Sequence, residues 1–464
     1  MFAGRLATLG ASGARAFAED ALAVLLTTLL VFLIVAEATM GWLMMALAPG
    51  FLDEPEKYRL AVHFARITFP YLLFISLVSL FGGVLNSLDR FAAVAATPIF
   101  LNLALIAALL GFTQVLPGAG HALAWGVAAA GIVQFAWLAG AAQVAGMGLR
   151  LKWPRLTPEI RRLATLMLPA AFGSGVVQVN LMIDVVLASL LPTGAVSYLY
   201  YADRLYELPL AVIGIAIGTA ILPRLAREVR ATDQAGAVAT LNRGLEAALL
   251  LTLPAAAALI VLAQPIVAVL FERGAFGPAA VRLTATAGAA YGLGLPGFVL
   301  IKVLVPGFYA REDTRTPVKI AVVCVIVNTL AAAALMYALH VFLALGHVGI
   351  ALATGLSGAL NALLLASSLM RHGHLAPDAQ LRRRVGRMAL AALVMAAALV
   401  AARQGLAPWL AGNLVWRVSA LALLVAGGAA VYGACAQALG AADWRDLKHL
   451  LGRPPPPSAP PASN

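Results

Sequence analysis

Charge is scarce in this sequence. Only 11% of its 464 residues are Asp, Glu, Lys or Arg, against about 25% in soluble domains, which excludes an ordinary water-soluble globule. Cysteine is nearly absent. Cys324 and Cys435 both sit in apolar runs, so neither a disulfide framework nor a cysteine metal centre can be built. The seven histidines, His63, His121, His340, His347, His372, His374 and His449, are scattered and form no ligand motif. The adjacent His372 and His374 fall in a basic turn and read most simply as solvated. No phosphate-cradling Gly-Lys loop occurs, which leaves ATP without its usual binding motif. Met1 to Asp20 lacks the basic-then-apolar order of a signal peptide and ends in two acids, as a cytoplasmic lead-in would.

Apolar length is abundant. The chain is 62% hydrophobic with mean hydropathy +0.92, and a helix needs roughly 20 apolar residues to cross the bilayer core. Spans are predicted at about 21–48, 59–88, 93–113, 122–146, 160–190, 195–224, 238–270, 281–309, 317–342, 346–370, 386–404 and 414–440. The runs are too long and their alternation too weak for a β-barrel. The expected fold is therefore an all-α polytopic membrane protein of about 12 helices. Pro70, Pro169, Pro209, Pro254, Pro296 and Pro306 fall inside spans, where kinks are tolerated if neighbours satisfy the freed carbonyls.

The net charge of +12 is explained by its distribution. Alternate connections, among them those with Arg150, Lys152 and Arg155 or Arg382, Arg383 and Arg384, hold 22 of the 32 basic residues. The opposite set holds six: Lys57, Arg59, Arg273, Arg282, Arg403 and Arg417. The positive-inside rule places both termini in the cytoplasm, so the charge reports topology and not a nucleic-acid surface. The Pro/Ser-rich end, Gly452 to Asn464, cannot bury a core and is expected to be disordered.

A shift of 226 positions aligns Pro70 with Pro296, Asn102 with Asn328 and His121 with His347, in three consecutive spans. Such a repeat implies two pseudo-repeated lobes facing a central cavity. The expected layout is the remainder of an N-terminal lobe over 1–146, a six-helix lobe over 160–370, a terminal helix pair over 386–440 and a disordered cytoplasmic tail over 441–464. The second lobe has three spans before the one holding Pro296, and the first has one before that holding Pro70. Two helices are expected ahead of Met1.

Three stretches carry a resemblance to a known family: ITFPYLLFISLVSLFGGVLNSLDRF from Ile67, SYLYYADRLYELPLAVIGIAIGTAILPRLAR from Ser197 and KVLVPGFYAREDTRTPVKIA from Lys302. They resemble the MurJ/MviN family of lipid II flippases, within the multidrug/oligosaccharidyl-lipid/polysaccharide exporter superfamily. The resemblance implies fourteen helices in two six-helix lobes plus a final pair. It also implies cavity arginines on the family's first two helices, which have no counterpart after Met1, so a truncated, non-transporting member is one reading of the chain as written.

Asp203, Arg204 and Glu207 lie within a span, where each ionisable group is costly without a partner or a task. Arg204 is nine residues into its span, about 14 Å deep at 1.5 Å per residue. Two readings stay open: a self-contained ion cluster, or an arginine docking an anionic head group through paired hydrogen bonds while the acids position it. The resemblance places the arginine of this Ala-Asp-Arg motif in the substrate cavity. Lys302 is a second substrate-binding candidate or a snorkelling lysine. Arg66 and Arg243, nearer span ends, read chiefly as snorkelling. Arg311 and Asp313 fall in a cytoplasmic turn suited to gating or to solvation. Asp184, with Asn180 one turn before it, needs a partner. It pairs either with Arg204 or, with oxygens such as Asn328 and Thr354, forms a sodium or proton site.

The expectation is thus an inner-membrane flippase of bacterial type moving an undecaprenyl-diphosphate-linked muropeptide, lipid II, outward by alternating access. It would use no cofactor and draw on an ion gradient or the membrane potential. Membrane lipids and the cell-wall synthesis machinery are its expected partners, and nucleic acid is not. The rivals are an exporter of another polyprenyl-linked saccharide or a drug, and a scaffold in cell-wall assembly. An enzyme on polyprenyl lipids would need an acid-rich metal motif or histidine cluster that the sequence does not supply.

Overall fold

The computed structural model describes residues 1–441, without the side chains of 168–174, 176 and 177. The tail expected to be disordered lies, from 442 onward, outside the described residues. The described chain is helical throughout, because in hydrocarbon a helix satisfies its own backbone. The elements in order are α1 (Phe2–Ala38), α2 (Met40–Leu47), a 3₁₀ turn (Pro49–Asp53), α3 (Pro55–Thr68), α4 (Tyr71–Asn86), α5 (Phe91–Ala95), α6 (Thr97–Phe112), α7 (Ala119–Val144) and α8 (Pro158–Ser189). There follow α9 (Ala195–Pro209), a π-helical turn (Leu210–Ile215), α10 (Ala216–Arg230), α11 (Gln234–Phe271), α12 (Pro278–Tyr309), α13 (Arg315–Leu343), α14 (Gly346–Arg371), α15 (Ala379–Gly405), α16 (Ala407–Leu410) and α17 (Leu414–Ala438). Among the described residues, eleven helical stretches are long and apolar enough to span a membrane, and Gln178–Ser189 of α8 adds a shorter apolar segment. Every predicted span falls on a helix.

Sequence signals explain several boundaries. Asp233, Asp378 and Asn413 cap α11, α15 and α17, each side chain accepting from a backbone N–H of the first turn. The two Thr-Pro pairs, at Thr97 and Thr316, lie in the first turns of α6 and α13, where a proline costs no helical hydrogen bond. The front differs from expectation. Helix begins at Phe2 and not near residue 21, with a break at Gly10, whose φ of 68° is left-handed. Glu19 is buried, pairs with Lys152 at 2.6 Å and accepts the Arg150 N–H at 3.1 Å, so this acid belongs to a packed helix and not to a solvated lead-in.

The chain divides into two compact units at Gly175, within α8. In the first, α7 packs on α4 and α6; in the second, α14 packs on α12 and α13. The aligned Pro, Asn and His residues therefore sit at corresponding helices of like packing. Their surroundings have diverged. Pro70 separates α3 from α4, whereas Pro296 lies inside the continuous α12. Asn102 is exposed and Asn328 fully buried.

In the second unit, α15 and α17 pack along α11, a 38-residue helix with Pro254 and Pro265 inside it. A proline has no N–H for the carbonyl four residues earlier, which frees the carbonyls of Leu250 and Val261. Both are taken by the terminal pair. The Tyr432 hydroxyl of α17 donates to Leu250 O at 2.8 Å, and Arg403 of α15 donates to Val261 O at 3.1 Å and to Gln264 at 3.0 Å. Ion pairs hold the ends: Arg417 with Glu272 at 2.6 Å, and, at the other end, Arg243 with Glu246 and Asp378, and Arg384 with Glu246. This corrects the snorkelling reading of Arg243, whose guanidinium turns to two carboxylates because one of them, Glu246, is buried.

Tyr432→Phe leaves the Leu250 carbonyl without a donor and is expected to cost about 1–2 kcal/mol, read as a lower thermal midpoint of the detergent-solubilised protein. Tyr337→Phe, at a tyrosine 70% exposed, is expected to leave the midpoint in place. Equal midpoints for both variants would show that the proline-freed carbonyl does not need its partner.

Candidate functional site

The ionisable cluster forms on α9. Spacings of three and four place residues on one helical face, and Arg204 accordingly reaches Glu207 at 2.8 Å and turns back to its neighbour Asp203 at 3.2 Å. The Tyr200 ring lies one turn earlier, 5.1 Å from the guanidinium carbon, in cation–π range. Half of the Arg204 side chain, 51%, is uncovered by protein, against 18% of Asp203. Asp203 is thus the inner member of the cluster. Tyr206 is stacked between Tyr291 and Phe298 of α12, at centroid distances of 5.0 and 5.4 Å.

The cation of the cluster is paired with two acids, yet it is not sealed in packed protein. A guanidinium uncovered at this depth requires water or an anion, since lipid tails offer neither. One arginine with two ionised carboxylates carries a net charge of −1, so an incoming anion competes with the carboxylates for the guanidinium. Sequence reasoning missed the Tyr206 stack, whose partners Tyr291 and Phe298 lie on another helix.

A second polar group is buried among α8, α13 and α14. Asp184 accepts from the Asn328 amide at 3.4 Å and from the Thr354 hydroxyl at 3.3 Å, and the same amide donates to Asn180 at 2.9 Å. The Asn328 side-chain oxygen is buried without a hydrogen-bond partner. This arrangement corrects one option of the sequence reading: Asp184 does not pair with Arg204, whose partners are Asp203 and Glu207. Instead the structure brings Asp184, Asn180, Asn328 and Thr354 together. Oxygen ligands suit hard cations, and one carboxylate among neutral oxygens balances one positive charge. A divalent centre would want more acids, and the described residues contain no group of three or more acidic, histidine or cysteine ligands. In the first unit the residue aligned with Thr354 is Ala128, so the repeat does not duplicate this group.

Lys302, on α12, is exposed and has no ion-pair partner among the described residues. Its backbone is tightly held. Pro306 frees the Lys302 carbonyl, and α10 packs directly on it through Gly218, where a Cβ would stand only 2.6 Å from that oxygen. Gly214 likewise seats the Lys302 stem, 3.2 Å from a Cβ there to Lys302 Cγ. Gly214 belongs to the π-helical turn that follows Pro209, a feature frequent at functional sites.

The remaining sequence candidates lie apart from these groups. Arg66 is exposed on α3. In the turn after α12, Arg311 donates to Gly307 O at 2.8 Å, and burial holds its guanidinium below the usual arginine range. Asp313 accepts the Arg315 and Thr316 N–H groups at 3.1 and 3.0 Å. The Thr316 hydrogen bonds hold its carboxyl below the ordinary aspartate range, a capping role at the start of α13.

Comparison with known proteins adds to this geometry. The model of the family described as "Lipid II flippase MurJ" matches residues 3–420. A protein of Rhizobium meliloti named "Probable lipid II flippase MurJ" is 45% identical over 98% of this chain and 84% of its own length. One of Burkholderia cenocepacia named "Lipid II flippase MurJ" is 38% identical over 88% of this chain and 77% of its own. Among solved structures, a lipid II flippase MurJ in an inward closed conformation superposes with TM-score 0.74 at 22% identity, covering 94% of this chain and 85% of that one. An inward-facing multidrug resistance MATE family transporter of the MOP superfamily gives 0.63 at 16% identity, covering 80% and 83%. These structural likenesses speak to the fold.

Gly218→Ala is expected to push α10 off the Lys302 carbonyl and lower the thermal midpoint, at a cost of about 1–3 kcal/mol. Gly83→Ala, a helical position with open space around it, is the control expected to be neutral. A Gly218→Ala protein as stable as the parent would show that α10 and α12 are not held at this contact.

Proposed function

The chain belongs to the MurJ family of lipid II flippases, and from that premise we propose that it moves lipid II across the cytoplasmic membrane, from the inner to the outer leaflet. It is a multi-pass membrane protein with the fold of the MOP transporters. The observation that carries the site assignment is Arg204, a cation uncovered by protein within a membrane span and gripped by carboxylates that an anion can displace. In this reading the diphosphate of lipid II takes the guanidinium by paired hydrogen bonds. Lys302 supplies further positive charge, and Asp203 and Glu207 hold the arginine in place when the cargo is absent. No covalent bond is made or broken, and the polyprenyl tail stays in lipid along the terminal helix pair.

For energy, the group around Asp184 is the candidate coupling site. With the Asn328 amide turned over, so that its unpartnered oxygen replaces its NH2, that oxygen, the Asp184 carboxylate, the Asn180 amide oxygen and the Thr354 hydroxyl can surround one sodium ion; without that turn, Asp184 can carry one proton. The uneven loop charge supports cytoplasmic placement of both termini in the bacterial inner membrane. Sites on two elements that pack on shared neighbours fit a mechanism in which occupancy of one biases the lobe's conformation. Partners in the cell-wall synthesis machinery belong to this reading too. The exporter-of-another-cargo alternative has less support, since the relatives at 38–45% identity bear the lipid II flippase name.

In cells depleted of their own lipid II flippase, Arg204→Ala is expected to abolish complementation while inserting into the membrane normally; unimpaired growth would overturn the anchor role. Asp184→Asn is expected to remove any stabilisation of the purified protein by sodium over choline, measured as the thermal midpoint. A parent protein indifferent to both sodium and pH between about 5 and 8 would leave Asp184 a packing residue.

A further inference from the structure

The connection from α7 to α8 holds large apolar side chains in the open beside unpaired positive charge. It begins at Gly146, whose φ of 72° ends α7, with the Met147 N–H returning to Ala142 O at 2.8 Å. From there to Thr157 the chain is irregular, yet it is fastened to α1 at three points. Arg15 donates to Gly146 O. Glu19 takes the Arg150 N–H at 3.1 Å and the Lys152 ammonium at 2.6 Å. Arg5 pairs at 3.0 Å with Glu159, in the first turn of α8. Met147 packs inward, buried with Ala18 and Val84. Leu151, Trp153 and Leu156 do not: 65%, 85% and 63% of them is uncovered by protein. The fastening occupies Lys152 and Glu159, the one acid between 146 and 162. It leaves Arg150, Arg155, Arg161 and Arg162 exposed, without a carboxylate partner among the described residues.

We propose that residues 150–162 are a docking surface for anionic phospholipid of the cytoplasmic leaflet. The proposal rests on the reading that places this connection, with both termini, on the cytoplasmic side. Charge complementarity names the occupant: a cluster of four or more basic residues beside a span attracts lipids of net negative charge. A zwitterionic lipid offers the same phosphate but brings its own cation. Trp153, Leu151 and Leu156 supply the apolar half of the contact. Leading from one span to the next, the segment lies at the level of the head groups, where an indole and neighbouring aliphatic chains enter the boundary between head groups and acyl tails. The three contacts with α1 give the surface its rigidity. A loose stretch would fold its tryptophan back onto protein, whereas this one is held so that Leu151, Trp153 and Leu156 stay uncovered. Lipid bound there moors α1 and the start of α8 to the inner leaflet.

The test places a nitroxide on a cysteine substituted for Leu156 in the full chain, with Cys324→Ala and Cys435→Ala removing the other thiols and Trp153 kept. Collisions of the label with a water-soluble nickel chelate and with oxygen are compared in nanodiscs of phosphatidylcholine alone and with one quarter phosphatidylglycerol. The glycerol lipid is expected to lower chelate accessibility by about threefold and raise oxygen accessibility. With Arg155→Gln, Arg161→Gln and Arg162→Gln together, all at exposed positions, the two compositions are expected to give equal values. Equal accessibility in the parent, or a lipid effect that survives the triple variant, overturns the proposal. So does an equal shift produced by inorganic phosphate in phosphatidylcholine discs, which would mean a site for free phosphate. The premise is tested separately in intact cells with a membrane-impermeant maleimide. Reaction of the Leu156→Cys thiol only after detergent lysis fits the cytoplasmic placement. Reaction in intact cells would overturn that placement, whereas protection in cells with equal values in both discs would remove only the lipid site.

Discussion

The constraint on which everything else in this structure depends is the absence of water from the bilayer core. Each polar atom taken into a span must find its partner within the protein. That rule organises α11, whose two prolines each free a carbonyl and whose terminal helix pair supplies a donor to each. It organises Asp184, met by amide and hydroxyl donors from α13 and α14. It also marks the exceptions. Several buried side-chain atoms have no hydrogen-bond partner, among them the Thr252 and Thr284 hydroxyls and the Asn328 oxygen, and half of Arg204 has no cover. Of these, the proposed function gives the Asn328 oxygen a cation and Arg204 an anionic head group.

The second unit divides its labour along the same line. On one side, α11, α15 and α17 are joined at both ends by ion pairs and in between by hydrogen bonds to proline-freed carbonyls, a brace with little freedom. On the other, α9 continues through a π-helical turn into α10 and rests on α12, where Gly218 and Gly214 allow backbone and lysine stem to touch. Pro209 and Pro306 stand at that seam. A helix interrupted there can reorganise at lower cost than one with an unbroken hydrogen-bond ladder, which suits the segment to which the proposed function gives the substrate anchor.

Most of the fold was legible because hydrocarbon imposes a simple length rule. All twelve apolar stretches are helical, and the like packing of α4, α6 and α7 and of α12, α13 and α14 accords with the rare-residue matches in the repeat. The front was misjudged because Glu19 looks like a solvated acid until Lys152 and the Arg150 N–H, more than 130 residues away, are seen to meet it. Partner identity was the general blind spot. Local spacing named Arg204, Asp203 and Glu207 correctly as one cluster, since they share a helix. It could not tell whether Asp184 faced Arg204 or Asn328 and Thr354, because those lie on other helices. Arg243 failed likewise, its partner Asp378 being 135 positions distant.

The central claim is that the guanidinium of Arg204 receives the diphosphate by exchanging a carboxylate for it. Cryo-electron microscopy of the protein in nanodiscs with bound lipid II tests this most directly. The exchange predicts diphosphate oxygens about 2.8 Å from Arg204 nitrogens, with Asp203 or Glu207 no longer in contact with the guanidinium. A head group bound elsewhere, with Arg204 still holding both Asp203 and Glu207, would contradict it.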